Sequence, residues 1–192
     1  LLGWHASGNQ EIYSLTELIN EFSIERIQKS GAVFDIKKLN WMNSYYIKKL
    51  KPEKLLLLSK NTFPETWEVT PSMIELVQEK IENINNIKDL IKFFFEYPVI
   101  NKKNNKFLQS SESIIALNSF YLLIKSLKSW DKNVFKSTMQ KVQSNTNIKG
   151  KNLWSPIRIA LTGTAHGADL GSIVEILGYK KCCQRINQSI ND

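Results

Sequence analysis

The chain has 192 residues, is 42% hydrophobic and carries a formal net charge of +8, enough length and apolar content for one large core or two small ones. No apolar run approaches the roughly 20 residues of a membrane span, and no charged segment followed by an apolar one marks a signal peptide at the start, so neither membrane nor export is expected. The two cysteines, Cys182 and Cys183, are adjacent; they offer no spaced metal-ligand pair and no loop-closing disulfide, and are read as reduced thiols in a cytosolic helix.

The elements read as helical nearly throughout. Ser14 and Glu17 stand at capping-box spacing ahead of Leu15, Leu18, Ile19 and Phe22, which share one helical face. Asp35 can cap a longer helix whose stripe is Leu39, Met42, Tyr46 and Leu50. Pro52 suits the first turn of the next helix, which holds Leu55 to Leu58, and residues 61–67 read as a linker. Pro71 opens another helix, and a further one from Asp89 stops at Pro98. The polar stretch Asn101–Asn105 reads as a loop and a boundary. Residues 110–129 form a long apolar helix with Ile114, Leu117, Tyr121, Ile124 and Leu127 on one face. Residues 131–144 are amphipathic, with Val134, Phe135, Met139 and Val142 inward. Residues 153–161 form a short helix ended by Gly163; Asp169 caps one that runs to Leu177, with Gly178 at its C-terminal cap, and a basic, frayed helix closes the chain. No period-2 alternation suggests a sheet. The expected fold class is all-α, as two or three packed helical subdomains with a boundary at Asn101–Asn105.

Few residues carry chemistry. His5 and His166 have no partner at ligand spacing and read as surface positions. The glycine-rich stretch Gly163–Gly171 lacks a closing Lys-Ser or Lys-Thr and follows a helix rather than a strand, which argues against a phosphate loop. Leu58–Lys60 looks like part of a nucleotide-binding lysine loop, with no second motif beside it. Most aromatics, Trp41, Trp67, Trp130, Trp154 and Phe93–Phe95 among them, are core by default, with one or two available to stack on unpaired bases. The basic balance fits nucleic acid, yet the abundance of Lys, Asn and Ile is also what AT-rich coding produces. One charge stands apart. The chain has 23 lysines and 3 arginines, and one arginine, Arg158, sits inside the apolar run SPIRIALTG (Ser155–Gly163).

Two blocks exceed what amphipathicity produces. LLGWH (Leu1–His5) with EIYSLTELINEFSIERIQKSGAVFDIKKLNWMNSYYI (Glu11–Ile47) forms the first, and KGKNLWSPIRIALTGTAHGADLGSIVEILG (Lys149–Gly178) the second. Together they resemble bacterial glutamyl-tRNA synthetase, the class I ligase that joins glutamate to its tRNA. The first block resembles the stem-contact region and the second the end of the anticodon-binding domain, with the middle matching more loosely. The resemblance implies stem-contact helices in 1–50, an anticodon-binding subdomain in 51–100 and a second in 101–192. The chain opens at Leu1 rather than Met, and the family's histidine-glycine signature and lysine-serine-lysine loop are not in it, so a non-catalytic piece of a longer enzyme is expected. ATP and Mg²⁺ would belong to the other half, with no cofactor in this one.

The resemblance places Arg158 where the family has an arginine that contacts anticodon bases. A guanidinium can stack on a splayed base and fork two hydrogen bonds to its edge. It places Lys80 where the family has an arginine that helps accept cytosine over guanine at the third anticodon position. Lysine offers a point charge and no fork, so discrimination against glutamine tRNA is relaxed on this reading. Some members carry threonine at the position of Gly167, which here can offer only its backbone; Leu170 completes the expected set. The lysine runs at 48–54 and 102–106 would touch phosphates without reading sequence. The expected partners are glutamate tRNA and, through Lys80, glutamine tRNA, for a cytoplasmic monomer. The competing reading is a free-standing helical module that binds proteins.

Overall fold

A computed structural model describes residues 3–29, 31, 33–127 and 129–191. Leu1, Leu2, Ser30, Ala32, Lys128 and Asp192 lie outside the described residues; they include the first two positions of LLGWH and one position of the helix expected over 110–129. The helices are α1 (Leu15–Glu21), α2 (Ile36–Lys49), α3 (Pro52–Ser59), α4 (Pro71–Val77), α5 (Ile87–Ile91), α6 (Lys102–Leu108), α7 (Ser111–Ile124), α8 (Lys132–Thr146), α9 (Lys151–Thr162) and α10 (Leu170–Asn191). Short 3₁₀ turns follow α1, α3, α4 and α5, and one precedes α5. Among the described residues the only β pairing is an isolated bridge between Trp4 and Ile27. The all-α class expected from the sequence is what the chain adopts.

The helix starts are set by short-range chemistry. Ser14 and Glu17 form a reciprocal capping box at α1. Asp35 accepts from the amides of Lys37 and Lys38, and Asp131 from those of Asn133 and Val134. Pro52 and Pro71 occupy first turns, where their missing N–H is not needed. Gly163 ends α9 at φ 78°, a left-handed conformation natural to glycine. A β-carbon there would lie 2.8 Å from the Val99 carbonyl oxygen, so glycine also allows the end of α9 to close on residues 98–99. Gly178, at φ 76°, divides α10 into two helical stretches, the first ending at Leu177 as expected.

The core runs through α7, α8, α9 and α10, which pack on one another. Phe120, Phe135, Met139, Val142, Leu161 and Val174 are sealed within it. A second set, Leu55, Ile74, Ile81, Ile87 and Ile91, is buried where α3, α4 and α5 meet, and α4 also touches α10. Gln78 ties α2 to this layer, donating from Nε2 to the carbonyls of Ile47 (2.9 Å) and Leu50 (2.7 Å) at the open C-terminal end of α2.

Four expectations change. Asn101–Asn105 is not a loop: Asn101 caps α6 by accepting from the Asn104 amide at 2.9 Å, and the stretch is helical from Lys102. Local polarity predicted a loop, but a side-chain cap and a distant partner for Asn104 outweigh it. The buried side of α7 is Ser113, Ala116, Leu117, Phe120 and Ile124, while Ile114 is exposed. That helix is apolar nearly all round, so periodicity alone does not select a face. In α2 only Ile47 is buried, and Leu39 and Tyr46 stay exposed. The last helix is not frayed, since Cys182, Arg185 and Ile186 enter the core. Burial pushes the Cys182 thiol up to about 12, which keeps it protonated and inert.

Candidate nucleic-acid interface

Arg158 projects from α9 into the space beside the loop that joins α9 to α10. Its Nη1 donates to the Ala168 carbonyl at 2.8 Å, clasping that loop. One bond uses one of the five guanidinium donors, and the rest of the planar group remains for a ligand. Burial lowers the affinity of the half-buried guanidinium for its proton, and the nearby Asp169 carboxylate works against that. Asp169 does not bind Arg158 directly. It pairs with Lys132 at 2.7 Å and accepts from the amide and hydroxyl of Ser172, capping α10. The hydrogen bond from Lys132 is the main reason its carboxyl falls to about 2.

The loop has further internal ties. Thr162 donates its hydroxyl to the Arg158 carbonyl (2.8 Å), and Thr164 donates to that of His166 (2.9 Å). A β-carbon on Gly167 would come within 3.3 Å of Arg158 Nη1, so glycine leaves the guanidinium room to lie against the loop. From α6, Asn104 Nδ2 donates to the Gly163 carbonyl at 2.9 Å and satisfies the end of α9.

Arg158, Lys80 and Gly167 line one cleft of about 310 Å³. Lys80 enters from the 3₁₀ turn after α4, Arg158 from α9 and Gly167 from the loop, and Phe93 and Tyr97 line the same cleft. Residues 78 positions apart in sequence, from Lys80 to Arg158, thus face one space. Leu170 is not among its lining residues: at 3% exposure its side chain is core at the start of α10. On the other side of Thr164 and His166 a second cleft of about 630 Å³ is lined by Lys103, Lys106 and Lys151. A cleft that sets Arg158, Lys80, Lys92 and Asp89 among apolar side chains therefore borders a lysine-lined one.

Apolar and aromatic faces beside cations can hold a splayed single strand, the faces taking bases and the cations phosphates. Comparison with known proteins decides the family. A family model described as the anticodon binding domain matches residues 14–190. The chain belongs to the anticodon-binding domain family. Glutamate–tRNA ligase of Finegoldia magna is 35% identical over 199 residues, covering 100% of this chain and 41% of the relative. That of Natranaerobius thermophilus is 34% identical over 204 residues, covering 100% and 42%. A crystal structure of a glutamate tRNA ligase from Elizabethkingia meningosepticum, in complex with its amino acid, is similar with a TM-score of 0.83 and 27% identity, over 100% of this chain and 39% of that one. This anticodon-binding domain thus spans about two fifths of the length of the curated relatives it matches.

Sequence reasoning missed three residues that shape the domain's cleft. Arg185 is buried at 4% exposure; Nη1 donates to the Leu161 carbonyl (2.6 Å) and Nη2 to that of Glu96 (2.8 Å). It thereby ties α9, which carries Arg158, to the loop that carries Tyr97. The scarcity of arginine that singled out Arg158 was a usable signal for Arg185 as well. Asn104 and Tyr97 gave no such signal, because their roles depend on partners dozens of residues away.

Proposed function

We propose that this chain is the tRNA-reading part of a glutamate–tRNA ligase. The observation that carries the reading is the convergence of Lys80, Arg158 and Gly167 on one cleft beside a lysine-lined one. Bases of the anticodon loop, unstacked from one another, enter the first cleft and meet the free edge of the Arg158 guanidinium. Lys103, Lys106 and Lys151 neutralise phosphates alongside. On this reading residues 51–100 and 101–192 are two anticodon-binding subdomains, and residues 1–50 face the tRNA stem. Catalysis with glutamate, ATP and Mg²⁺ belongs to the remainder of a cytoplasmic, monomeric ligase. The family match does not favour a free-standing protein-interaction module.

The test is binding of the chain to glutamate tRNA and to a tRNA of unrelated anticodon at two salt concentrations. The expected result is a preference of about tenfold for glutamate tRNA, with affinity for both falling as salt rises. Absent or salt-independent binding would return the protein-interaction reading.

We further propose relaxed discrimination between glutamate and glutamine tRNA, supported by Lys80 at the position where the resemblance expects arginine. The single ammonium cannot fork to a base edge. A ligase containing this chain should then charge both tRNAs in an aminoacylation assay, and failure to charge glutamine tRNA would sink the idea.

A further inference from the structure

Tyr97 occupies an unusual position. It is 57% exposed, with Arg185 against both the preceding peptide and one face of its ring. Pro98 follows it and confines its backbone to extended conformations. The carbonyl preceding it, that of Glu96, accepts from Arg185 Nη2 at 2.8 Å, so the peptide unit leading into Tyr97 is tied to the core. The Arg185 guanidinium carbon lies 6.0 Å from the ring centroid and occupies one face. Arg185 is itself immobilised by its second bond, to the Leu161 carbonyl. The ring also borders the cleft that Arg158 and Lys80 line.

We propose that Tyr97 is the stacking platform on which an unpaired anticodon base rests, with Arg185 as the positioning residue that fixes it. The inference rests on reading the cleft as the anticodon site and deepens it by naming the surface that receives a base face. An exposed aromatic ring normally loses rotamer freedom when a ligand stacks on it. Here Pro98 restricts the backbone that carries the ring and the Arg185 guanidinium lies over one face, so less of that freedom is left to lose. A cation on one face of the ring leaves the opposite face for a base, and the stack would run guanidinium, phenol, base. Stacking tolerates any base, so Tyr97 supplies affinity while Arg158 and Lys80, which present donors, supply selection.

The experiment uses the whole chain and an RNA hairpin whose loop carries the glutamate anticodon, with a fluorescent pyrimidine analogue placed at each anticodon position in turn. Stacking on an aromatic ring quenches such a probe. The wild-type chain should quench one position strongly. Tyr97→Phe should bind within about twofold of wild type and keep the quench, because the ring is what stacks. Tyr97→Leu should lose about tenfold in affinity and lose the quench at that position alone. Equal affinity and quench for Tyr97→Leu overturn the proposal, as does a wild-type chain that binds without quenching any position. A hairpin with a scrambled loop separates this from the underlying reading. Wild type that prefers the anticodon hairpin, with Tyr97→Leu unaffected, removes only the platform; wild type with no preference removes both.

Discussion

The stretches 14–22 and 110–124 begin alike and end differently. Each has a serine cap, followed by apolar residues at helical spacing. In α7 the chain covers that face itself, and Phe120 meets Phe135 edge-to-face at 5.9 Å inside the core. In α1 no residue is buried; Leu15, Ile19 and Phe22 are exposed, and the Phe22 ring lies 5.8 Å from that of Trp4. The same local signals therefore produce a helix in both places and a core in one. A cap and a stripe specify where a helix lies and which face would gain from cover. Whether cover arrives depends on residues far along the chain, which α7 finds in α8, α9 and α10.

The sharpest way to break this contrast is to truncate one ring in each region. Phe120→Ala should cost about 3–5 kcal/mol in urea unfolding, through lost transfer energy and a cavity. Phe22→Ala should cost under about 1 kcal/mol, and a comparable loss at both sites would mean the N-terminal face is covered after all. Glycines extend the comparison at a smaller scale. Gly163→Ala places a β-carbon against the Val99 carbonyl in a left-handed backbone and should cost about 1–3 kcal/mol by thermal melting. Gly8, with nothing within 4 Å of an added β-carbon, should accept alanine at no measurable loss.

Arg158→Ala should lower anticodon-dependent tRNA affinity about tenfold while circular dichroism stays unchanged, and Arg158→Lys should not restore binding, since charge returns without the fork. Global unfolding of Arg158→Ala would make the clasp on Ala168 its main role. The smallest effect belongs to the Lys132–Asp169 pair. Asp169 titrates at about 2 in the folded chain, below the usual carboxylate range, so its contribution is complete above about pH 4 and is lost as pH falls through about 2. Both groups are about half exposed, which limits the contribution to about 0.5–1 kcal/mol. Lys132→Ala should flatten the stability curve over that acid range, measured as the urea midpoint against pH.

Helix boundaries were legible because their causes are local. Ser14, Asp35, Asp131 and Asp169 bond amides two or three residues on, and Gly163 needs only its own φ. Arg158 was legible for another reason, as a rare side chain in an apolar run that matched a family pattern. The buried side of α7 was not legible, because a helix apolar nearly all round carries little periodic contrast. Nor was α6, whose Asn104 finds its partner at Gly163 across 59 positions of sequence.

By itself the sequence determined the all-α class, most of the helix starts and the residue around which the cleft is built, since capping, proline and glycine effects act within a few residues. Tertiary structure alone decided that Lys80 and Arg158 would line one cleft, that Leu170 would be core, and that Arg185 would lie over Tyr97 at the edge of the same cleft. Those outcomes depend on which distant surfaces exclude water from one another, and apolar burial is non-directional, so no short window of sequence encodes them.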